Sequence, residues 1–583
     1  MAVATAAARA DAVNRDALAL IHRCRLDAKE FDAAAAAAAA LVALAPASAE
    51  AHVLHGQALA GAGRLAEALA SFDAAIVHDA RYAGAWIGRG AVLCRTGRPA
   101  DGLQAFDRAL AVAPGASAAL VGRGNALVDL DRPAEALAAF DRVLRADPAD
   151  GSALVGRANA LAGLGRRGEA LATYERALAA APDLVDALIG QGLVLRDLDR
   201  PDDAEVGLAQ ALARDPGRID AWLGRALALC DLHRQAEAVT CLERAVAIDP
   251  GRADAQFVLA VVRLQRGDLA AGWAGYEWRW SFGQARRDGV TPIPPPTVRD
   301  PAALRGRSVL LVAEQGLGDT LQFFRYAPLL AAAGAHVTVA VHPPLAPLLA
   351  AADPSVTVTA QGPALPPADH RLALLSLPLV FGTTLDRVPA AVPYVRSDPS
   401  RVAAWRARLG PPDRLRVAVA WSGNPANADD RRRSIPLHDL APLLDRDVAW
   451  LAVQKDLRPA DAEVAAARPG LRLLGPELRD FADTAAVLDL VDLVVAVDTG
   501  VVHLAGAMGR PVWVLLPFNP DWRWLLDRAD SPWYPTARLF RQSARGDWTG
   551  VIRDVGAALD RLATARRAAR FGPCLEPQTK LEG

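Results

Sequence analysis

The sequence predicts two architectures in one chain, an all-helical repeat array and an α/β region with two parallel sheets. Three observations support this prediction. A period of 34 residues runs through the first half, it ends at a proline-rich stretch, and short apolar runs then alternate with helical patterns. A chain of 583 residues is also too long for a single hydrophobic core, so more than one domain is expected.

The composition and charge of the chain argue against several classes of protein. A formal net charge of -1 gives no overall basic field, which argues against a nucleic-acid-binding protein. The five cysteines form no CxxC and no His/Cys pair at zinc spacing, so we expect neither a disulfide framework nor a metal site. Charged residues interrupt every long apolar run, including the N-terminal one, so we expect a cytoplasmic protein without a membrane span.

The repeat becomes visible when residues 119–148 are set above residues 153–182, because the two segments match across an offset of 34. Small residues recur in one column, alanines in a second, and larger apolar residues lie four positions after the alanines. The three columns are Gly56, Gly90, Gly124, Ala158, Gly192 and Ala226; Ala34, Ala68, Ala136, Ala170, Ala204 and Ala238; and Phe72, Phe106, Phe140, Tyr174, Leu208 and Leu242. The pattern resembles the tetratricopeptide repeat, with about eight frames from residue 15 to 286. That resemblance implies a helical superhelix whose concave face binds a protein.

Two polar columns of the array allow two interpretations each. An arginine column could line the groove, or its aliphatic stems could pack along each helix pair. Asn125 and Asn159, at the same position of successive repeats, could bind a ligand backbone or form a solvated polar face. The arginine column consists of Arg89, Arg123, Arg157 and Arg225.

The repeat period ends in a tryptophan-rich frame and a proline-rich segment. Trp273, Trp278 and Trp280 lie within eight residues, which suggests that this end docks onto another surface. Residues 290–301, VTPIPPPTVRDP, cannot be helical and indicate a stiff linker. The predicted domains are repeats 1–288, linker 289–304, a first Rossmann-like half 305–400, a second Rossmann-like half 401–565 and a tail 566–583.

Short apolar runs after residue 305 predict the strands of the two parallel sheets, which leave a cleft between them. Three runs fall in the first half and five in the second. They cover residues 308–314, 336–342, 356–360, 416–423, 448–454, 471–474, 490–498 and 511–517.

The most specific chemical pattern is a strand, Asp-Thr-Gly-x-x-His, a helix and a strand between Val491 and Pro517. Thr499 and Gly500 would lie where the N–H groups of a helix start point outward, a site suited to a diphosphate. His503 would face the same ligand. The alternatives are that Asp498 and Thr499 cap the helix and that His503 is a buried, hydrogen-bonded side chain.

A second group of candidate phosphate ligands follows another strand. Ser422, Gly423 and Asn424 come directly after it, and Arg433 ends the arginine run 431–433. Arginine forks match phosphate oxygens, so this loop is a candidate part of the donor site. The alternative is a solvated loop with Ser434 as a helix cap.

Gln454 and Lys455 end a third strand and are further donor-site candidates. Lysine occurs at three positions among 65 basic residues, Lys29, Lys455 and Lys580. Such a rare residue at the carboxyl end of a strand indicates a phosphate contact.

The turn Glu-Gln-Gly-Leu-Gly-Asp, residues 314–319, joins the first strand of the α/β region to a helix. Asp319 could face a substrate at the carboxyl end of the sheet, or cap the helix from Thr320. Glu314 is the second choice for an acid, and Gln315, Gly316 and Gly318 are predicted to lie on the acceptor side. The turn lacks the third glycine of GxGxxG and the chain has no GK[ST], which disfavours NAD enzymes and ATPases.

Residues 305–560 resemble the GT-B glycosyltransferases of the heptosyltransferase type, glycosyltransferase family nine. Two motifs carry the resemblance, Gly318-Asp319 and Asp498-Thr499-Gly500-Val501-Val502-His503. It implies a GT-B fold with two Rossmann-like domains facing a cleft. It also implies that Asp319 is the base at the acceptor and that the Asp-Thr-Gly loop binds the phosphates of a nucleotide sugar.

Together with the repeats, the chain is similar to bacterial repeat-glycosyltransferases that include flagellin-modifying enzymes. The resemblance implies metal-independent transfer of a sugar from a nucleotide-activated donor to a protein held by the repeats, flagellin being one candidate. No cofactor beyond the nucleotide sugar is expected. The alternatives are a catalytically inactive repeat scaffold with a GT-B-like module, and glycosylation of a lipid or polysaccharide precursor.

Overall fold

The computed structural model describes residues 2–282, 292–425 and 430–570. It divides into two compact units, residues 1–232 and residues 233–583. The second unit therefore begins inside the predicted repeat array, and the last repeat helices belong to the same unit as the two sheets. Residues 283–286 of the last predicted frame and residues 289–291 of the predicted linker lie outside the described residues.

The first unit consists of helices joined by short turns, in agreement with the period of 34. Proline opens several of the second helices of the repeats, where a missing N–H carries no penalty. The helices are Ala2–Asp27, Phe31–Leu44, Ala49–Gly61, Leu65–His78, Ala83–Arg95, Pro99–Val112, Ser117–Asp129, Pro133–Ala146, Gly151–Gly163, Arg167–Ala180, Val185–Asp197, Pro201–Arg214 and Ile219–Asp231.

The packing of the repeats explains the columns of small and large residues. A Cβ added at Gly56 would lie 2.9 Å from the ring of Phe72, and one added at Gly124 would lie 2.5 Å from the ring of Phe140. Both distances are too short for a carbon–carbon contact, so the large residue of each second helix requires a small residue on the first. Phe72 and Phe140 are almost completely buried.

The arginine column forms ion pairs within the array. Each guanidinium bonds a carboxylate of a preceding helix at 2.7–2.8 Å, and the first three arginine side chains are 25–28% exposed. The stems are therefore largely packed, as the second interpretation predicted, and the charged ends are paired. The pairs are Arg89–Asp73, Arg123–Asp107, Arg157–Asp141 and Arg225–Glu205. Asn159 accepts a hydrogen bond from the hydroxyl of Tyr174.

The second unit begins with the last helices of the array and continues into the α/β region. The repeat helices are Gln235–Ile248, Ala253–Gln265 and Leu269–Tyr276, followed by the 3-10 helix Glu277–Trp280. The later α-helices are Leu317–Phe323, Tyr326–Ala332, Ala346–Leu349, Leu377–Val380, Pro399–Leu409, Asp430–Arg433, Leu437–Leu444, Pro459–Ala466, Phe481–Leu488, Gly500–Ala507 and Trp548–Arg570. Further 3-10 helices are Pro301–Leu304, Pro343–Leu345, Leu374–Ser376, Leu385–Arg387, Gly475–Glu477 and Trp522–Trp524.

Two parallel sheets form the α/β region, as predicted. The four-stranded sheet has the order β3-β2-β1-β4, and the six-stranded sheet has the order β10-β9-β8-β5-β6-β7. The strands are β1 Ser308–Val312, β2 His336–Val341, β3 Val356–Ala360, β4 His370–Ala373, β5 Arg416–Ala420, β6 Ala449–Ala452, β7 Leu471–Leu473, β8 Leu493–Val497, β9 Val512–Leu516 and β10 Ala537–Arg541. Sequence reasoning missed β4 and β10, both of which are edge strands that contain arginine.

The end of the repeat array shares a hydrophobic core with the α/β region. Trp273 is buried in a cluster that contains Leu311 of β1 and Ala496 of β8. Trp280 is buried with Leu310 and with Ile293 of the predicted linker. The predicted docking of this aromatic segment is therefore observed inside the second unit. The helix Trp548–Arg570 continues into the predicted tail, of which residues 571–583 lie outside the described residues.

Candidate functional site

Both sheets reverse their strand order once, and the sequence motifs lie at these two places. In the four-stranded sheet β1 lies between β2 and β4, and in the six-stranded sheet β5 lies between β6 and β8. The crevice outside the carboxyl ends of such strands is the usual ligand site of an open α/β sheet. The turn 314–319 follows β1, residues 422–424 follow β5, and Asp498 follows β8.

The two glycine-containing motifs lie against each other. A Cβ added at Gly318 would lie 2.6 Å from Cδ2 of His503, and one added at Gly500 would lie 3.8 Å from the backbone nitrogen of Gly318. The helix that begins at Leu317 therefore packs closely against the helix that begins at Gly500, with the imidazole of His503 against Gly318. The structure thus brings Gly318, in the helix after β1, next to Gly500 and His503, in the helix after β8.

Asp319 lies within the first turn of the helix Leu317–Phe323, whose N-cap is Gly316. The predicted helix start at Thr320 is therefore wrong, because the helix begins three residues earlier. Oδ2 of Asp319 accepts a hydrogen bond from the backbone N–H of Gly316 at 2.8 Å. Oδ1 accepts from Nη2 of Arg523, which belongs to the other half of the α/β region. The carboxylate is oriented by both groups and its side chain remains 18% exposed.

Arg523 is a central residue of this site that sequence reasoning missed. Its Nε donates to Oε1 of Gln322 at 2.8 Å and its Nη1 donates to Oδ1 of Asp521 at 2.9 Å. Its guanidinium lies 4.4 Å from the ring centre of Trp522, a cation–π contact. Burial lowers the pKa of Arg523, but Asp521 and Asp319 raise it more, so the pKa lies above its ordinary value and the group stays charged.

Asp498 and His503 form the second close pair of polar side chains in the site. Nε2 of His503 lies 3.6 Å from Oδ1 of Asp498, and its Nδ1 forms a hydrogen bond with the hydroxyl of Tyr534 at 3.0 Å. The imidazole also stacks on Trp524 with ring centres 5.6 Å apart. Burial opposes ionisation of Asp498, but His503 and then Arg433 lower its pKa below the ordinary value. This geometry agrees with the alternative interpretation, in which His503 is a buried, hydrogen-bonded side chain.

Thr499 is the N-cap of the helix Gly500–Ala507, but its side chain forms no capping hydrogen bond. Its hydroxyl is buried and has no hydrogen-bond partner among the described residues. The threonine side chain therefore does not cap this helix in the described structure, so this alternative to the phosphate site is wrong for Thr499. The N–H of Val502 donates to the carbonyl of Thr499 at 3.0 Å, whereas the N–H groups of Gly500 and Val501 have no carbonyl partner inside the helix, which is the geometry that favours an anion.

Gln454 and Lys455 lie beyond the end of β6, but both make internal contacts. Oε1 of Gln454 accepts from the backbone N–H groups of Trp421 and Ser422, each at 3.2 Å. Nζ of Lys455 donates to the carbonyl of Gly475 at 3.2 Å and to that of Leu478. Gln454 therefore shapes the loop after β5, and the ammonium of Lys455 is held by backbone carbonyls.

The loop after β5 lies beside Arg433. Ser422 is buried, and the N–H of Gly423 donates to the hydroxyl of Ser434 at 3.1 Å. A Cβ added at Gly423 would lie 2.5 Å from Oδ1 of Asp430 and 2.8 Å from Nη2 of Arg433, so the ion pair of these two side chains covers this glycine. Arg433 also contributes to the lowered pKa of Asp498, which places its charge near the Asp-Thr-Gly loop. Asn424 is exposed.

Glu314 is buried and forms part of an ionic network. Its Oε1 accepts from Arg279 at 2.9 Å and from the backbone N–H of Leu375 at 3.2 Å. Arg279 also donates to Glu277 at 2.8 Å. Burial raises the pKa of the Glu314 carboxyl to about 7, although the Arg279 ion pair opposes the shift. This acid ties the end of the repeats to β1 and does not contact Asp319.

Gln315 adopts a φ of 63°, in the left-handed region that non-glycine residues rarely occupy. Its side chain lies 3.3 Å from the hydroxyl of Tyr276, in the last repeat helix. Such a conformation costs free energy and persists where the surroundings enforce it, which is common beside functional sites.

The part of the chain that the structure describes contains neither a metal-binding cluster nor a membrane-spanning helix. Within residues 2–282, 292–425 and 430–570, no group of three or more His, Cys, Asp or Glu side chains is arranged to hold a metal ion. In the same ranges, no helix combines the length and the apolar character needed to cross a membrane.

Comparison with protein families finds matches in both parts of the chain. Residues 23–85, 87–151, 189–253 and 223–272 match a tetratricopeptide repeat model, and residues 127–192 match a second one. Residues 450–516 match the model of glycosyltransferase family 9 (heptosyltransferase). The chain therefore joins tetratricopeptide repeats to a segment that resembles a heptosyltransferase. The matched segment contains Lys455 and the loop Asp498–His503, whereas Asp319 lies before it.

Individual proteins similar to this chain include Protein FlbA of Caulobacter vibrioides, at 28% identity over 335 residues. The alignment covers 52% of this chain and 54% of that protein, so the chain spans about half the length of this curated relative. A solved tetratricopeptide repeat protein from Parabacteroides merdae is 16% identical with a TM-score of 0.37, covering 43% of this chain and 98% of that one. YrrB, a TPR protein with an unusual peptide-binding site, is 24% identical with a TM-score of 0.25, covering 32% of this chain and 96% of that one.

Proposed function

We propose that the chain is a GT-B glycosyltransferase that moves a sugar from a nucleotide-activated donor to a protein acceptor. The contact of Gly318 with His503 and Gly500, next to Asp319 in the chain, is the observation that carries this proposal. Through this contact, the helix that carries Asp319 lies against the helix that begins at Gly500, whose start we propose as the anion site. The match of residues 450–516 to glycosyltransferase family 9 supports the same reaction class.

In the proposed reaction, Asp319 removes the proton from the attacking hydroxyl of the acceptor. A hydroxyl is a weak nucleophile, and a positioned base contributes roughly a hundredfold to ten-thousandfold to the rate. Asp319 accepts one hydrogen bond at each oxygen, from Gly316 and Arg523, so each oxygen retains a lone pair for the incoming proton.

The donor diphosphate is proposed to bind at the start of the helix Gly500–Ala507, beside Arg433. Free N–H groups and the positive end of the helix dipole would stabilise the leaving phosphate. The proposal needs no divalent metal, so EDTA is expected to leave turnover intact. Gln454 and Ser422 support this site through the loop after β5, with Asn424 at its exposed end.

The acceptor is proposed to be a protein bound by the tetratricopeptide repeats in the cytoplasm. Flagellin is the first candidate because of the likeness to flagellin-modifying repeat-glycosyltransferases. Mass spectrometry of proteins from cells with and without this chain would identify the acceptor and the mass of the sugar. An unchanged set of glycosylated proteins would contradict a protein acceptor and favour a lipid, a polysaccharide precursor or an inactive module.

The variant Asp319→Asn tests the proposed base. The amide keeps an acceptor for the Gly316 N–H but cannot take a proton, so turnover is expected to fall by at least about a hundredfold. The variant also removes a charge partner of Arg523, and Asp521→Asn is the matched control because it removes the other carboxylate partner.

We expect Asp521→Asn to retain turnover within about tenfold of the unmodified chain, because Gln322 still holds Arg523. Both variants should bind nucleoside diphosphate in calorimetric titrations. Equal losses of turnover in the two variants would indicate that the ion-pair network, and not a base at Asp319, accounts for the effect.

A further inference from the structure

We propose that the terminal repeat segment, Gln265–Arg279, is a positioning element of the site and not only a tether for the acceptor. This inference rests on the proposed function, because the groups that the segment positions are Asp319 and Arg523. The observation behind it is that this one segment bonds both loops that carry the pair. Each loop is held a few residues before its charged side chain.

The loop that carries Arg523 is held by Gln265, the last residue of the helix Ala253–Gln265. Nε2 of Gln265 donates to Oδ1 of Asn519 at 2.7 Å and to the carbonyl of Pro520 at 2.8 Å. Gln265 is 5% exposed, so these hydrogen bonds are shielded from water. The ring of Trp273 meets that of Trp522 edge to face, with centres 5.3 Å apart. These contacts fix the backbone on the N-terminal side of Arg523.

The turn that carries Asp319 is held by the other end of the same segment. Arg279 donates to Glu314, and the hydroxyl of Tyr276 lies 3.3 Å from Nε2 of Gln315. Gln315 is the residue with a left-handed φ of 63°, so its conformation needs enforcement by its neighbours. Tyr276 is buried, and its ring centre lies 6.0 Å from that of Trp522. One residue of the segment thus contacts both loops.

A role in recruiting and a role in positioning make opposite kinetic demands. If the segment only recruits the acceptor, loosening its contacts raises the KM for the acceptor and leaves kcat unchanged. If it positions Asp319 and Arg523, loosening lowers kcat, because a displacement of about 1 Å of catalytic groups can cost roughly a hundredfold. Nucleotide affinity should not change in either case.

The test compares Gln265→Leu with Gln256→Leu in the full-length chain. Both glutamines belong to the same helix, and both donate to a proline carbonyl, but Gln256 bonds Pro250 at 3.0 Å within the repeat. Tyr276→Phe is a milder variant on the other loop. The readouts are kcat, the KM for the acceptor found by mass spectrometry, and the affinities of UDP, GDP, ADP and CDP.

Hydrogen exchange of peptides 517–524 and 313–320 supplies a readout that does not depend on turnover. We expect Gln265→Leu to accelerate exchange in 517–524 and to lower kcat about tenfold to a hundredfold with unchanged KM and nucleotide affinity. Tyr276→Phe should accelerate exchange in peptide 313–320 and lower kcat by a smaller factor. Gln256→Leu should match the unmodified chain in exchange and in kcat.

Unchanged exchange in Gln265→Leu, or a rise in acceptor KM with unchanged kcat, would overturn the positioning role alone. If the unmodified chain turns over no nucleotide sugar while exchange still rises in Gln265→Leu, the proposed function is wrong. The segment then holds two loops that have no catalytic role, and the inference falls with that function.

Discussion

The substitution Gly318→Ala tests the contact on which the whole site depends. The new Cβ would lie 2.6 Å from Cδ2 and 3.3 Å from Nε2 of His503. Carbon atoms in contact ordinarily lie about 3.5–4.0 Å apart, so one side must retreat by about 1 Å. The imidazole is bonded to Tyr534 and stacked on Trp524, which restricts its retreat. The helix Leu317–Phe323 must therefore shift and move Asp319 relative to Arg523.

The magnitude follows from the cost of overpacking a well-packed core, which is about 1–3 kcal/mol. Calorimetry should show a lower melting temperature for the transition of the second unit, by a few degrees. Turnover should fall by up to about a hundredfold, because the reacting groups are displaced by about 1 Å. Gly470→Ala is the control, since an added Cβ there meets no atom within 4 Å and its φ is not positive.

The destabilisation caused by Gly318→Ala should be smaller when the imidazole of His503 is removed. In the background His503→Ala, the added methyl group of Gly318→Ala meets no imidazole, so the two substitutions should show a favourable coupling of at least about 0.5 kcal/mol. An unchanged melting transition in Gly318→Ala would refute the contact. An equal loss in both backgrounds would show that the loss has another cause.

Two further predictions concern Glu314 and Lys455. The pKa of Glu314 in the folded protein is about 7, above its ordinary value of 4.5. The protonated carboxyl therefore contributes stability that is fully present below pH 4.5 and is lost as the pH rises through 7. Melting temperatures measured from pH 4.5 to 8 should fall more steeply for the unmodified chain than for Glu314→Gln, and parallel curves would contradict the raised pKa. The ammonium of Lys455 can replace one of its two carbonyl partners by a phosphate oxygen, so Lys455→Ala should weaken nucleoside-diphosphate binding by about 1–3 kcal/mol. Unchanged affinity in titration calorimetry would show that Lys455 only forms hydrogen bonds with Gly475 and Leu478.

The sequence predicted those features of the fold that depend on local pattern. The period of 34 follows from repeated contacts such as that between Gly56 and Phe72, in which a small residue must face a large one. Central strands such as β1 and β8 are continuous apolar runs because both of their faces are buried. The strands β4 and β10 lie at sheet edges and include Arg371 and Arg538, so their apolar signal is weak.

The site could be predicted only in part, for the same reason. Gly318-Asp319 and Asp498–His503 follow strands directly, so their place at the ends of the sheets is readable from sequence. The pair Asp319–Arg523 joins residues that are 204 positions apart, in different halves of the α/β region, and no sequence period predicts such a contact. The run Asp521–Trp524, with an acid and an arginine among tryptophans, is the feature of the sequence that could identify this loop. The rarity of lysine drew attention to Lys455, although its ammonium bonds backbone carbonyls.

The charges of the site limit what each member of the Asp-Thr-Gly-x-x-His motif can do. Asp498 has a lowered pKa and is therefore ionised at neutral pH, so it would repel a diphosphate that approached its carboxylate directly. Its carboxylate lies 3.6 Å from Nε2 of His503, whose Nδ1 forms a hydrogen bond with Tyr534. Asp498 is thus better suited to orient the imidazole than to touch the donor. The phosphate must then be bound by groups without negative charge, such as the N–H groups of Gly500 and Val501, the guanidinium of Arg433 and, if it releases a carbonyl, the ammonium of Lys455. By this reasoning, Asp498→Asn should disturb turnover through His503 more than it weakens nucleotide binding.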